Sequence, residues 1–222
     1  MSSYSTEKTR DPYDGLRPWS AITHGVGAVL SLIALIYLML FSQLSPSYTA
    51  AVAIYGGTML ALYTASTLYH SLRTGVKGRI ALRKADHMMI YFLIAGTYTP
   101  LCVISLNGTL GTVLLPVIWA LALIGSVVNI VWIKLPRWLT SLIYIVMGWI
   151  AIVAIYPLSN AIKFGVFWLI FGGVLYTVGG GLYAIKWPGK NNPRFGCHEI
   201  FHIFIILGSI CHYILMLYVT KQ

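Results

Sequence analysis

The last apolar stretch of the chain, residues 198–219, reads HEIFHIFIILGSICHYILMLYV. As a helix rising about 1.5 Å per residue, it is long enough to cross about 30 Å of hydrocarbon. Because each residue turns about 100°, the helix places His198, His202 and His212 within a stripe about 80° wide. Two imidazoles four residues apart can reach one zinc ion, although such pairs also occur as hydrogen-bonded core residues. The stretch therefore predicts a membrane helix with one polar face.

The composition of the whole chain is that of an integral membrane protein. Of its 222 residues, 58% are hydrophobic and 9% are charged, and the mean hydropathy is +0.80. A soluble domain of this size cannot bury so much apolar surface, because its surface-to-volume ratio limits its interior. The polar N-terminal segment does not have the form of a cleavable signal, so we expect it to be retained.

Seven apolar stretches divide the chain, each of about 18 to 25 residues and so long enough to cross a membrane. We predict an all-α integral membrane protein, with a cytoplasmic N-terminal tail over 1–18 and a single seven-helix domain over 19–222. The predicted transmembrane helices cover about 19–41, 49–72, 86–105, 111–133, 138–156, 165–186 and 198–219.

The cations of the predicted loops are distributed unevenly. Thirteen Lys and Arg residues lie on the side of the N-terminus, and only Lys163 and Lys221 lie on the other. Cytoplasmic loops hold the excess of Lys and Arg, so the N-terminus is predicted to be cytoplasmic and the C-terminus outside the cell. The net charge of +10 then follows from topology in a multi-pass protein of the cell membrane, and requires no nucleic-acid partner.

Ionisable groups within the predicted spans lie at one depth. His70 ends the second span, Asp86 opens the third and His198 opens the seventh, each beside a basic loop. Ser66 lies one turn before His70 on the same helical face. Because an ionisable group in a membrane is costly, it usually faces the bundle interior and has a partner. We expect these side chains to converge near the cytoplasmic boundary.

Five motifs occur in order along the chain. They are Thr23-His24-Gly25, Ser66 with His70, ADHMMIY at 85–91, AGTYTP at 95–100, and the histidines His198, His202 and His212. Together they resemble the hemolysin III branch of the progestin and adiponectin receptor family, over nearly the whole chain. The resemblance implies a seven-helix bundle with a zinc ion near the cytoplasmic face.

The resemblance also implies roles for individual residues. By the family's pattern, His70, His198 and His202 would bind zinc. Asp86 would hold the water at the zinc, and Ser66 would support the site through a hydrogen bond.

One departure from the family's pattern concerns the start of the first span. Many bacterial relatives place a glutamate and an asparagine ahead of its histidine, whereas this chain reads Leu16-Arg17-Pro18-Trp19-Ser20. The glutamate therefore has no counterpart here, and Ser20 is only a weak substitute for the asparagine.

The remaining polar residues have structural alternatives. His24 is either a supporting partner of the zinc site or an interfacial histidine. His212 lies about 15 Å deeper than His202 by helix rise, so we interpret it as a buried hydrogen-bonding group. His87 points about 100° away from Asp86 and is interpreted as an interfacial or packing residue. Glu199 lies off the histidine stripe, facing the basic loops, and is interpreted as structural.

Three neutral imidazoles leave one position of tetrahedral zinc open, which is typical of catalytic sites. Asp86 is then the candidate general base, or alternatively it neutralises the zinc charge or pairs with Arg83 or Lys84. The leading hypothesis is a zinc-dependent hydrolase of a lipid amide or ester, supported by resemblance to a wider group that includes alkaline ceramidases. One alternative is a zinc-stapled receptor or regulator of membrane lipid state, and another is a pore-forming cytolysin. The expected partner is a membrane lipid or fatty acid.

The orientation of the bundle is testable with reporters. A reporter fused after Gln222 should read as external, and one inserted around Lys77 should read as cytoplasmic, because the basic loops stay inside. Protease accessibility in intact cells measures both positions. The same side for both would refute a seven-span topology.

Overall fold

The structure is a computed structural model, and it describes residues 16–41, 45–106, 108–131, 135–189, 192 and 195–221. Within these ranges all regular elements are helical, and seven helical spans are long and apolar enough to cross a membrane. The predicted fold class is therefore confirmed. Most of the predicted tail, 1–15, lies outside the described residues, as do the loop cations Lys134, Lys190 and Arg194.

In the described part of the chain, eight α-helices and two short irregular helical segments form the seven spans. The fifth span consists of α5, a 3-10 segment and α6, and the third ends in a π-helical segment. In order, the elements are α1 (Pro18–Phe41), α2 (Pro46–Ser71), α3 (Val76–Pro100) with the π-helical Leu101–Ser105, α4 (Thr109–Val131), α5 (Arg137–Trp149), the 3-10 segment Ile150–Ala154, α6 (Ile155–Ile162), α7 (Gly165–Ile185) and α8 (Cys197–Val219).

Two helix boundaries differ from the prediction by more than three residues. Helix α3 begins at Val76 rather than at 86, because apolar periodicity marks only the part of a helix within hydrocarbon and misses a basic extension. Asp86 consequently lies about three turns into α3 instead of at its start. The fifth span continues to Ile162, beyond the predicted end at 156. Pro157 does not terminate it, since proline is tolerated in the first turn of a helix such as α6.

The bundle is organised around contacts between neighbouring spans. Helix α1 packs against α2 and α8, and α7 packs against α8 along its length. Close approach of α7 and α8 requires glycine at 172, where a Cβ atom would lie 2.7 Å from Cδ2 of His212. The core includes the fully buried side chains of Tyr55, Ile118, Leu215 and Met216.

Alternating helix directions bring the starts of α1, α3, α5 and α8 to the same end of the bundle as the ends of α2, α4 and α7. We call this the basic end, because it carries Arg17, Arg79, Arg83 and Arg137. The same end holds the histidines predicted to bind metal.

Candidate metal centre

Three buried histidines meet at the basic end. His70 belongs to the last turn of α2, and His198 and His202 lie one turn apart at the start of α8. Each offers one ring nitrogen, and these three atoms lie within 4.8 Å of one another. Nε2 of His70 is 3.0 Å from Nε2 of His198. The structure thus brings together all three histidines of the predicted metal set.

The donor set fits a tetrahedral metal ion. With zinc–nitrogen bonds of about 2.0 to 2.1 Å, tetrahedral ligands lie about 3.3 Å apart, so small adjustments of these rings would suffice. Several nearby buried atoms, among them Oγ of Ser66 and Nδ1 of His202, have no hydrogen-bond partner among the described residues. Buried polar atoms are normally satisfied, so these atoms fit the binding of a further group at this position.

His24 of α1 supports this cluster by ring packing. Its imidazole stacks on that of His202, with centroids 3.6 Å apart and planes 11° apart. On another side its ring meets Tyr63 edge to face at 5.0 Å. The first span therefore fixes the plane of one candidate ligand by stacking.

A cavity of about 410 Å³ opens from the cluster into the bundle. Ser66, Asp86, His198 and His202 line it at the basic end. Its walls continue toward the other end of the bundle and are mainly apolar, formed by residues such as Leu93, Ile94, Leu101, Ile152, Ile155 and Leu169. The site is therefore the polar end of an apolar chamber.

Asp86 lies in the wall of this cavity and is not one of the three mutually close donors. His87 lines the cavity as well. His212 agrees with its prediction: it is buried, and its Nε2 is 3.4 Å from the carbonyl oxygen of Leu169.

A buried ion pair closes the basic end beside the cluster. Nη1 of Arg17 donates to Oε1 of Glu199 at 2.6 Å and to Oε2 at 2.9 Å. Oγ of Ser20 donates to Oε1 at 2.9 Å, and the backbone N–H of Gly196 donates to Oε2 at 2.9 Å. The backbone N–H of Arg17 also donates to the carbonyl of His70 at 3.1 Å. One residue therefore connects α1 to both helices that supply the histidines.

This pair agrees with the structural interpretation of Glu199, and it gives the unusual start of the first span a role that sequence reasoning missed. Arg17 and Ser20 are the residues that satisfy the carboxylate. The sequence carried only part of the signal: a buried carboxylate requires a cation and Arg17 stands at the membrane boundary, but nothing in the sequence pairs the two residues. Asn129, a polar residue within apolar α4, was also missed and lines the cavity.

Comparison with known proteins gives consistent matches over most of the chain. The sequence profile of the family described as "Haemolysin-III related" matches residues 18–213. The Hemolysin-3 homolog of Bacillus subtilis (strain 168) is 42% identical over 202 residues, which are 90% of this chain and 92% of that protein. Hemolysin-3 of Bacillus cereus is 41% identical, with 90% and 89% covered. The Monocyte to macrophage differentiation factor of Homo sapiens is 26% identical over 167 residues, with 72% and 66% covered.

The ion pair predicts a specific stability defect. Glu199→Gln retains the size of the side chain but leaves the Arg17 cation buried without its counter-charge, which costs about 3 to 5 kcal/mol. Thermal unfolding of the purified protein should show this as a clear drop in Tm. Arg73→Gln, an exposed cation at the same end, should leave Tm unchanged.

The double variant Arg17→Gln with Glu199→Gln supplies the control for coupling. It should be less destabilised than the sum of the two single variants, because neither charge is then left alone. Strict additivity would show that the pair does not contribute as a unit.

Proposed function

The chain belongs to the haemolysin-III-related family of multi-pass membrane proteins, as its motifs predicted, and we propose that it is a zinc-dependent hydrolase of a lipid amide or ester. The observation that carries this proposal is the position of three buried imidazoles at the polar end of an apolar cavity, with Asp86 in the same wall. The location of the protein is the cell membrane.

The proposed metal is zinc, held by His70, His198 and His202. Neutral imidazoles suit zinc, and three protein ligands leave a position for another molecule, as in catalytic zinc sites. When bound, zinc would supply Lewis acidity, polarising a carbonyl group and making water more acidic. The stack of His24 on His202 holds one ligand ring in place.

Asp86 is the proposed general base. A carboxylate in the cavity wall can take a proton from water as the water adds to the carbonyl carbon of the substrate. The C–N or C–O bond then breaks, and Asp86 returns the proton to the departing amine or alcohol. Ser66, whose buried Oγ has no protein partner among the described residues, is available to donate a hydrogen bond to the reacting group. The carboxylate thus serves in both halves of the reaction.

The cavity supports a lipid substrate. Its volume of about 410 Å³ falls within the usual range of ligand pockets, about 300 to 1,000 Å³. Its apolar walls favour an acyl chain, because hydrocarbon gains free energy by leaving water. A lipid whose acyl chain fills the cavity places its amide or ester bond at the basic end, beside the histidines. We infer that such a lipid enters from the cytoplasmic leaflet.

A receptor or regulator of membrane lipid state is the second candidate. It is favoured by the distribution of the donors, since His70 lies on α2 while His198 and His202 lie on α8. A metal bridging two helices stabilises one arrangement of them even if no bond is broken. The name of the relatives suggests cytolysis as a third candidate. The apolar lining of the cavity favours a lipid over the water-filled lumen of a pore.

The zinc prediction concerns metal content. The purified protein should hold about one zinc, and His70→Ala or His202→Ala should lose most of it, because two remaining ligands form a poor site. Elemental analysis after desalting measures the ratio. His212→Ala, a change of another buried histidine on α8, should keep the metal. Near-stoichiometric zinc in His202→Ala would contradict the assignment.

The catalytic prediction concerns Asp86→Asn. This variant should keep zinc and fold, since all three histidines remain, while lipid hydrolysis falls by about 10² to 10⁴ with loss of the general base. Release of fatty acid from a panel of ceramides and phospholipids measures the activity, and elemental analysis measures the metal. If wild type shows no metal-dependent release from any lipid and Asp86→Asn behaves normally in cells, the receptor proposal replaces the hydrolase.

A further inference from the structure

The basic end of the cavity carries two cations that the proposed hydrolysis does not use. Arg83 of α3 and Arg137 of α5 both line the cavity, together with Asp86. These are the only Lys, Arg, Asp or Glu side chains in its lining within the described part of the chain. Two guanidinium groups and one carboxylate give the lining a net charge of about +1 when the histidines are neutral. Pairing of Asp86 with either arginine does not change this sum. A bound zinc ion would make this end more positive, so the local charge favours an anion.

Arg137 is held near the histidine cluster through an aromatic ring. Its guanidinium lies 5.1 Å from the ring centroid of Tyr183, and the same ring is 5.5 Å from the imidazole of His198. Arg137 and His198, a candidate zinc ligand, therefore contact the same aromatic ring. A group bound by Arg137 would lie at the same end of the cavity as the proposed reacting bond.

Asn129 adds a neutral donor to this region. It lies in the last turn of α4, lines the cavity and is 7% exposed. Its Nδ2 is buried and has no hydrogen-bond partner among the described residues. An unsatisfied amide N–H is costly inside a membrane bundle unless a ligand accepts from it. Asn129 thus indicates an acceptor-rich group at this end of the cavity.

The depth of these residues matches that of lipid headgroups. Arg137 is the first residue of α5, and its neighbour Trp138 is 59% exposed. Exposed tryptophans of this kind are typical of the membrane–water interface. A lipid with its chain in the apolar part of the cavity would therefore place its headgroup beside Arg83, Arg137 and Asn129.

We propose that Arg83, Arg137 and Asn129 form a binding site for the phosphate of an anionic lipid, whose acyl chain occupies the cavity. Guanidinium groups bind phosphate through paired, charge-assisted hydrogen bonds, and the Asn129 amide donates one more. The site selects phosphate-bearing lipids over neutral lipids with the same chains. This inference rests on the proposed function for the position of the acyl chain, and it narrows the substrate class.

Binding is tested with ether lipids, which contain no carboxylic ester or amide for the proposed hydrolase to cleave. The ligands are dialkyl phosphatidic acid and the matching dialkylglycerol, which differ only by the phosphate. Affinities are measured by native mass spectrometry of the purified full chain. Wild type should bind the phosphatidic acid at least about tenfold more tightly, and Arg137→Gln and Arg83→Gln should each weaken it by about 10-fold to 100-fold without changing dialkylglycerol binding.

Arg73→Gln is the matched control. It removes the same charge at the same end, but Arg73 is exposed and does not line the cavity. The Arg73→Gln protein should therefore bind both lipids with the affinity of wild type. If Arg137→Gln fails to fold, the proposal is still tested by Arg83→Gln and by the affinities of wild type for the two lipids. Equal affinity for the two lipids, or an equal loss in Arg73→Gln, would overturn the proposal. Competition by inorganic phosphate at the same concentration as the lipid would reassign the site to free phosphate and overturn the lipid assignment.

Failure of this inference is distinguishable from failure of the hydrolase. Zinc-dependent release of fatty acid with no preference for anionic lipids would contradict the phosphate site and support the hydrolase. Selective binding of the ether phosphatidic acid by a protein that hydrolyses no lipid would support the phosphate site and remove the hydrolase.

Discussion

Hydrocarbon offers no hydrogen-bond partner, so each polar group within the bundle must be satisfied by the protein or by something the protein binds. The buried carboxylate of Glu199 meets this constraint with the Arg17 guanidinium, the Ser20 hydroxyl and a backbone N–H. Deeper in the bundle, Ser209 is bonded to both Tyr63 and Tyr176. Because most buried polar groups are satisfied in this way, the buried polar atoms that have no protein partner among the described residues indicate where a ligand would bind.

Several of the buried atoms without partners among the described residues lie where ligands are proposed. Oγ of Ser66 and Nδ1 of His202 lie at the candidate metal site, and Nδ2 of Asn129 lies at the proposed phosphate site. All three residues line one cavity. Their shared location is difficult to explain by packing alone, since a hydrophobic side chain at any of them would avoid the cost of burial. A polar ligand with an apolar tail satisfies these groups and fills the apolar walls at once.

The sequence predicted the parts of this architecture that depend on local periodicity. Seven apolar stretches predict seven spans, and the spacing of His198 and His202 predicts a shared helical face. Local periodicity could not predict the start of α3, because its first turns are basic and lie outside any apolar pattern. Nor could it pair Arg17 with Glu199, 182 positions apart, since such contacts are set by the packing of α1 against α8. That Arg83, Arg137 and Asn129 line the same cavity likewise depends on how three separate helices pack together.

The arrangement of Arg17 explains how the histidines can be gathered before any metal binds. Its backbone N–H holds the end of α2 at the carbonyl of His70, while its guanidinium holds the start of α8 at Glu199, the residue next to His198. Helix α1 also contributes His24, whose ring fixes that of His202 by stacking. Donors held in this way lose little conformational freedom when they bind an ion, and preorganisation of this kind raises affinity. The first span, which supplies none of the three candidate metal ligands, therefore contributes to the geometry of the site.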